Sequence, residues 1–299
     1  MDSLQILFDA PILNVQLLLD GLLIGAIFAL AAYGMALVWG VMNIINVAQG
    51  EFVMLGGFVA VLLADAGIHP LFGVPLATVV LYAVGWGLYR TIVFRVVDRD
   101  LFISILATFG ISILLQQLAN QVFGADVRSA EGGMGTLFLF DGMVTVGWIK
   151  VLACAVALLT GVALWLFLKH SRLGQAIRAT AQNARAARIL GIDTDRVYAA
   201  TYALNAAICG AAGALVAMIW IVHPYLGLAF TLRSFVIVIV AGLGNLLGVV
   251  VSGLGLGAAE SFAGFVFGAE FQAAFTFSLL VVILVLRSRL LARKRRYLK

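Results

Sequence analysis

Apolar residues dominate this chain in long runs, and polar ones fall between the runs rather than alternating with them. Uninterrupted or nearly uninterrupted apolar stretches lie at residues 17–42, 48–65, 72–95, 101–123, 148–168, 197–222, 229–247, 249–268 and 272–290. A helix crossing the hydrocarbon core needs about 20 such residues. Barrel strands alternate every second residue, and these segments are apolar on all sides, so the pattern predicts helices. The fold class expected is all-α: a polytopic transmembrane bundle of about eight to nine membrane segments, including broken or short helices. The second run is short, and the seventh and eighth are nearly fused through "GLGNLLG", so either region suits half-helices.

Composition agrees with this class. Of 299 residues, 64% are hydrophobic and 11% charged, against about 45–50% apolar and roughly 25% charged in soluble domains. The whole chain, 1–299, reads as one transmembrane domain. The N-terminus lacks the basic n-region of a cleaved signal peptide. Cys154 and Cys209 sit in apolar runs and read as small buried hydrophobes. The three histidines do not cluster, and no metal-ligand spacing occurs.

Charge sets the expected orientation. Arg90, Arg95 and Arg99 share one loop, and six basic residues between Lys169 and Arg196 share another. Seven more follow from Arg287 to Lys299. Together these hold sixteen of the nineteen basic residues. Nine spans put all three regions on one face, which the positive-inside rule makes cytoplasmic, with the N-terminus outside. Arg128, Lys150 and Arg233 are assigned to the opposite side. Clusters lying against a membrane argue against nucleic acid as a partner and allow anionic lipid contact.

The longest loop between runs, 169–196, is unlike a simple connection. Residues 173–190 are rich in helix-compatible Ala, Arg, Gln, Leu and Ile, which predicts one or two short helices on the cytoplasmic surface. Arg178, Arg185 and Arg188 fall on one face of a continuous helix, Ile177, Ala181 and Ala184 on a smaller apolar one. Gly191 is a natural C-terminal stop. Such an element either rests on lipid or docks on a cytoplasmic partner. Its alanine-rich apolar face is a weak lipid anchor, which favours the partner.

Polar residues inside the runs carry the remaining signal. In "NIINVAQGEFVMLGG", residues 43–57, Asn46 is an expected N-cap, with Gln49 completing a capping box. Glu51 then falls in the first turn, where the helix dipole favours a carboxylate. Gly56 and Gly57 allow close helix approach, as do the pairs Gly21/Gly25, Gly244/Gly248 and Gly253/Gly257. The stretch reads as a break in the membrane, lining a cavity or filling a tight packing corner. Glu260, deep in a later run, is expected to face the bundle interior, hydrogen-bonded or protonated.

No lysine follows glycine, so the chain has no Walker A motif. Neither a G-x-S-x-G elbow nor a defensible Ser/His/Asp set is present, so no catalytic residue is expected. These features suit a transporter component without its own ATPase.

Several ordered segments resemble one family, the permease subunits of branched-chain amino acid importers driven by ATP. "INVAQGEFVMLGGF" resembles that family's N-x-A-x-G-E-F motif, although His is common there where Gln49 stands. "GQAIRATAQNARAARILGIDTDRV" resembles its cytoplasmic coupling loop, "VFGADVRS" its external loop, and "IVIVAGLGNLLGVVVSGLGLGAAES" its glycine-rich later helices. The likeness runs from about residue 17 to about 286 and is nearer the shorter, H-type subunit. The C-terminal "VLRSRLLARKRRYLK" departs from the family, lacking its usual Pro and Gly pattern.

The resemblance implies a second permease of the M-type, two P-loop ATPase subunits that use the ATP, and a soluble extracytoplasmic binding protein. The bacterial inner membrane would be its location. It places Asn46, Gln49, Gly50, Glu51 and Glu260 at the translocation path or its broken helix. It places Arg172, Arg178, Arg185, Arg188 and Gly191 in coupling to the ATPase. Cofactors and metals bound by this chain are not expected. A permease for urea or short amides, and an ion-coupled carrier using Glu51 or Glu260, are the alternatives.

Overall fold

The computed structural model describes residues 3–97 and 99–296, with side-chain environments through residue 285. Lys299 lies outside the described residues, as do the side chains of the basic residues from Arg287 onward. A short helix α1 (Ser3–Asp9) precedes α2 (Pro11–Met42), α3 (Gln49–Asp65), α4 (Gly73–Thr91) and α5 (Leu101–Phe123). A two-stranded antiparallel hairpin, β1 (Thr136–Leu139) and β2 (Val144–Gly147), leads into α6 (Trp148–His170). Then come α7 (Arg172–Gln182), α8 (Ala184–Ile189), α9 (Thr194–Ile219), α10 (Gly227–Ala241), α11 (Leu246–Phe267) and α12 (Gln272–Arg296).

Helices occupy each of the nine apolar regions, but not all are full crossings. Among the described residues, six are long and apolar enough to span: those built on α2, α4, α5, α6, α9 and α11. At 17 and 15 residues, α3 and α10 are shorter, and the apolar part of the last helix, 269–285, is also short. The all-α class stands, with the hairpin as an addition that hydropathy does not foresee. Gln16 clamps that hairpin to α2. Its Nε2 donates to the Thr145 carbonyl at 2.8 Å and its Oε1 accepts from the Thr145 amide at 2.9 Å. Beside it, Lys150 pairs with Asp20 at 2.7 Å.

Burial separates centre from periphery. In the most apolar stretches of α2 and α9, 83% of the residues are buried, and in those of α4, α5 and α6 at most 28%. Central helices approach through glycine. A Cβ on Gly56 would strike the Gly210 carbonyl, and one on Gly25 the Gly253 carbonyl, while Gly257 abuts Gly25. So Gly56 joins α3 to α9, and Gly21/Gly25 face Gly253/Gly257 across α2 and α11, as their spacing implies. Gly244 is different. It takes φ of +77° in the turn before α11 with open space around it, so it serves the turn and not helix packing.

Two groups of helix starts bear on the site. Asp100, Ser171, Asn183, Asp193 and Asn245 each cap the helix that follows with their own side chain. These starts lie at the end of the bundle that carries Arg90, Lys169 and Arg178, where local side chains replace water at the first turn. By contrast, α3 and α10 have no side-chain cap of their own. Both begin inside the bundle.

Candidate functional site

The chain leaves α2 at Asn43, which takes a left-handed φ of 51°, and re-enters helix at Gln49. The depth of this break follows from its partners. Val47 donates its amide to Thr108, seven residues into α5, at 3.1 Å. Asn46 accepts from the hydroxyl of Tyr202, eight residues into α9, at 3.3 Å. At 1.5 Å per residue the break lies about 10–12 Å inside the basic end.

The capping box expected at this start does not form. Ala48 occupies the cap position, and the Asn46 side chain is turned to Tyr202. Gln49 instead donates Nε2 to the Ala31 carbonyl and to Cys209 Sγ, both at 2.8 Å. Neighbouring helices provide what a local cap would have. Thr231 of α10 accepts from the Gly50 amide at 2.8 Å and donates to the Val47 carbonyl at 3.0 Å. With no water at this depth, an uncapped amide would be costly. Threonines reaching across from α5 and α10 therefore tie the break to two other helices.

Glu51 is fully buried in the first turn of α3. Its Oε1 accepts from Ser112 at 2.9 Å and Gln116 at 2.8 Å. Those partners stand 11 and 15 residues into α5, so the carboxyl lies about 16–22 Å deep, near the middle of a core about 30 Å thick. The other face of the carboxyl presses on Gly227, the first residue of α10, and Gly50 meets the Gly227 backbone. Glu51 thus sits at two helix N-termini, where both dipoles favour negative charge. Oε2 has no hydrogen-bond partner among the described residues, and neither do Asn46 Nδ2, Gln49 Oε1 or Asn205 Nδ2. Asn46, Gln49, Gly50 and Glu51 accordingly form one buried polar seam, with hydrogen-bonding capacity to spare.

Glu260 is not part of that seam. It lies on α11 across α10, whose Thr231 faces α3 while Arg233 faces Glu260. Nε of Arg233 reaches the two carboxylate oxygens at 3.1 and 3.0 Å, and Thr276 donates to Oε1 at 2.6 Å. Arg233, counted with Arg128 and Lys150 on the side opposite the basic loops, lies within α10 and is paired inside the bundle. Its guanidinium also lies 4.8 Å from the Phe28 ring centre. Sequence reasoning missed this partner. The available signal was an arginine inside an apolar run with a carboxylate in the next one.

The loop 169–196 folds as two short helices, with Gly191 as their stop at φ of +86°. The three arginines do not share a continuous face, because Asn183 breaks the helix (φ −160°, ψ 101°) and caps α8 through Ala186. Arg178 reaches the Lys169 carbonyl, and Arg188 bonds Thr194 at 2.6 Å. Arg172 and Arg185 are exposed. The buried face is Gly174, Ile177 and Thr180. Ala181, expected on the apolar face, is exposed. At the tip, Ile189 and Leu190 are 86% and 80% exposed.

A bundle with a buried break, two helices that begin near mid-depth and a structured loop at its basic end matches a known pattern over most of its length. The family described as branched-chain amino acid transport system / permease component aligns with residues 17–286. The chain belongs to this permease family. Among its relatives, the high-affinity branched-chain amino acid transport system permease protein LivH of Escherichia coli is 30% identical, covering 91% of this chain and 92% of the relative. BraD of Pseudomonas aeruginosa, described in the same words, is 31% identical over 91% and 94%. A probable LivH of Methanocaldococcus jannaschii is 27% identical over 88% and 85%. No solved structure gives a significant match. As a member of this permease family, the chain is a multi-pass component of a transport system, and the urea and ion-coupled alternatives are not favoured.

Proposed function

We propose that this permease forms half of the membrane path of an ATP-driven importer for branched-chain or other small amino acids. A second permease, the M-type paralogue, supplies the other half. Two separate P-loop ATPases dock at the basic end, and a soluble binding protein delivers substrate at the opposite end. The N-terminus then lies outside and the C-terminus in the cytoplasm of a bacterial cell, and the short helices α3 and α10 complete eight to nine segments. Asn46, Gln49, Gly50 and Glu51 shape the broken helix along the path, with Glu260 beside it.

The observation that carries this reading is the α7–α8 unit. Its buried face is fixed to the bundle, and its tip presents Ile189 and Leu190 to the solvent side. Apolar residues exposed this way are suited to a groove on a partner. Arg185 and Arg188 on α8, with Arg172 and Arg178 on α7, give the unit positive charge. Gly191 sets the angle between tip and α9, so motion imposed on the tip is transmitted to the most buried helix pair.

The Gly191→Pro variant tests this. Proline cannot adopt φ of +86° and removes the amide that donates to the Arg188 carbonyl at 3.0 Å. The variant is expected to insert normally and to lose at least tenfold in amino acid uptake and in binding-protein-stimulated ATP hydrolysis. Normal uptake and normal stimulation would count heavily against the reading.

A further inference from the structure

A cavity of about 280 Å³ opens beside the Arg233–Glu260 pair, lined also by Phe28, Trp220, Phe230 and Gln272. It lies toward the end of the bundle opposite the basic loops, next to the α9–α10 and α11–α12 connections. An ionisable pair within membrane helices is expensive and commonly marks a substrate path.

The geometry of the pair is unusual for a purely structural bridge. A guanidinium normally grips a carboxylate with two nitrogens in parallel. Here both Glu260 oxygens converge on Nε alone, at 3.1 and 3.0 Å. Nη1 and Nη2 form no hydrogen bond to any described residue. The guanidinium carbon lies over the Phe28 ring, 4.8 Å from its centre, a contact that uses none of those donors. The outer fork of Arg233 is thus positioned, partly exposed at 21%, and available to a second carboxylate. Glu260 already accepts three contacts and retains capacity for one more donor. Phe28 and Trp220 stack at 6.2 Å with Phe230 edge-on to Phe28 at 6.1 Å, making an apolar wall.

We propose that this cavity is a waystation for a zwitterionic α-amino acid within the permease. Arg233 takes the ligand carboxylate through its two terminal amino groups, Glu260 takes the ammonium, and the aromatic wall takes an aliphatic side chain. The inference rests on the amino acid importer reading and adds the residues that recognise the solute inside the membrane.

The test is direct binding of radiolabelled L-leucine to the purified permease–ATPase complex in lipid nanodiscs, with the binding protein omitted. Competitors are L-leucinamide, which lacks the carboxylate, and 4-methylpentanoate, which lacks the ammonium. Leucine is expected to bind, and both analogues to compete at least tenfold more weakly. Arg233→Lys, which keeps the charge but not the planar fork, is expected to raise the leucine Kd at least tenfold without altering complex assembly. Equal competition by leucinamide, unchanged binding in the Arg233→Lys complex, or no leucine binding by a complex that imports leucine would each overturn the inference alone. The analogue series on the unaltered complex decides even where the variant does not fold. Absence of any amino acid uptake by the intact reconstituted importer would remove the broader reading, and the waystation with it.

Discussion

Replacing Glu260 with alanine is expected to destabilise the purified protein by about 3–5 kcal/mol, the range found when one member of a buried ion pair is removed. Little of the pair is exposed, 6% of the Glu260 side chain and 21% of that of Arg233, and that part faces the cavity. Without the carboxylate, Arg233 keeps its position over Phe28 but loses its only charged partner among the described residues. Thr276 is affected little, since its hydroxyl also reaches the Gln272 carbonyl at 2.9 Å. Unfolding in mixed detergent micelles, followed by circular dichroism, measures the loss. The double variant Arg233→Leu/Glu260→Leu should recover most of it, because a well-packed apolar pair avoids the desolvation that the charges incur. A single variant within about 1 kcal/mol of the unaltered protein would mean that Arg233 finds water or another partner. The stability assigned to the pair would then be wrong.

A second large effect is expected at Gly213. A Cβ there would overlap the Val53 carbonyl of α3 and approach the Gly57 amide to 2.8 Å. Both obstacles are backbone, so α3 and α9 must separate to admit valine. Gly213→Val should therefore cost about 3 kcal/mol, the upper part of the usual overpacking range, or prevent assembly. Gly87→Ala, Gly110→Ala and Gly255→Ala are the controls. Each adds its methyl to open space and should stay within about 1 kcal/mol of the parent. The same unfolding assay reads all four. A tolerated valine at Gly213 would show that the α3–α9 contact is looser than described.

These two sites also show what the chain reveals before it folds. Long apolar runs disclose helices because lipid leaves the backbone little else to do, so every apolar region contains one. Shortness was legible at α3, where the run 48–65 is itself short and the helix spans Gln49–Asp65. The meeting of Gly50 with Gly227 at the first turns of α3 and α10 was not, being a tertiary contact with no local signature. Glu51 was legible as a first-turn carboxylate in a break. Its partners Ser112 and Gln116 were not, since nothing in α5 alone distinguishes them from other polar residues. The capping box failed for a related reason. Tyr202 and Thr231 offer Asn46 and Gly50 tertiary hydrogen bonds that displace the local ones.

Glycine spacing located real contacts at Gly25 and Gly253 and misread Gly244, because spacing cannot separate a packed glycine from a turn with positive φ. Arg233 was counted only for its side of the membrane, and that count does not ask whether a basic residue has a buried carboxylate for a partner. In the loop 169–196 the helices and the Gly191 stop were readable, while Asn183 was not recognised as both the end of α7 and the cap of α8.

The most direct test of the central claim is native mass spectrometry of the tagged chain, purified gently from its own membranes after crosslinking in place. An importer permease predicts stoichiometric recovery of two P-loop ATPase subunits and a second permease. A homo-oligomer free of any ATPase would contradict the account and turn attention to Glu51 and Glu260 as sites of an ion-coupled carrier.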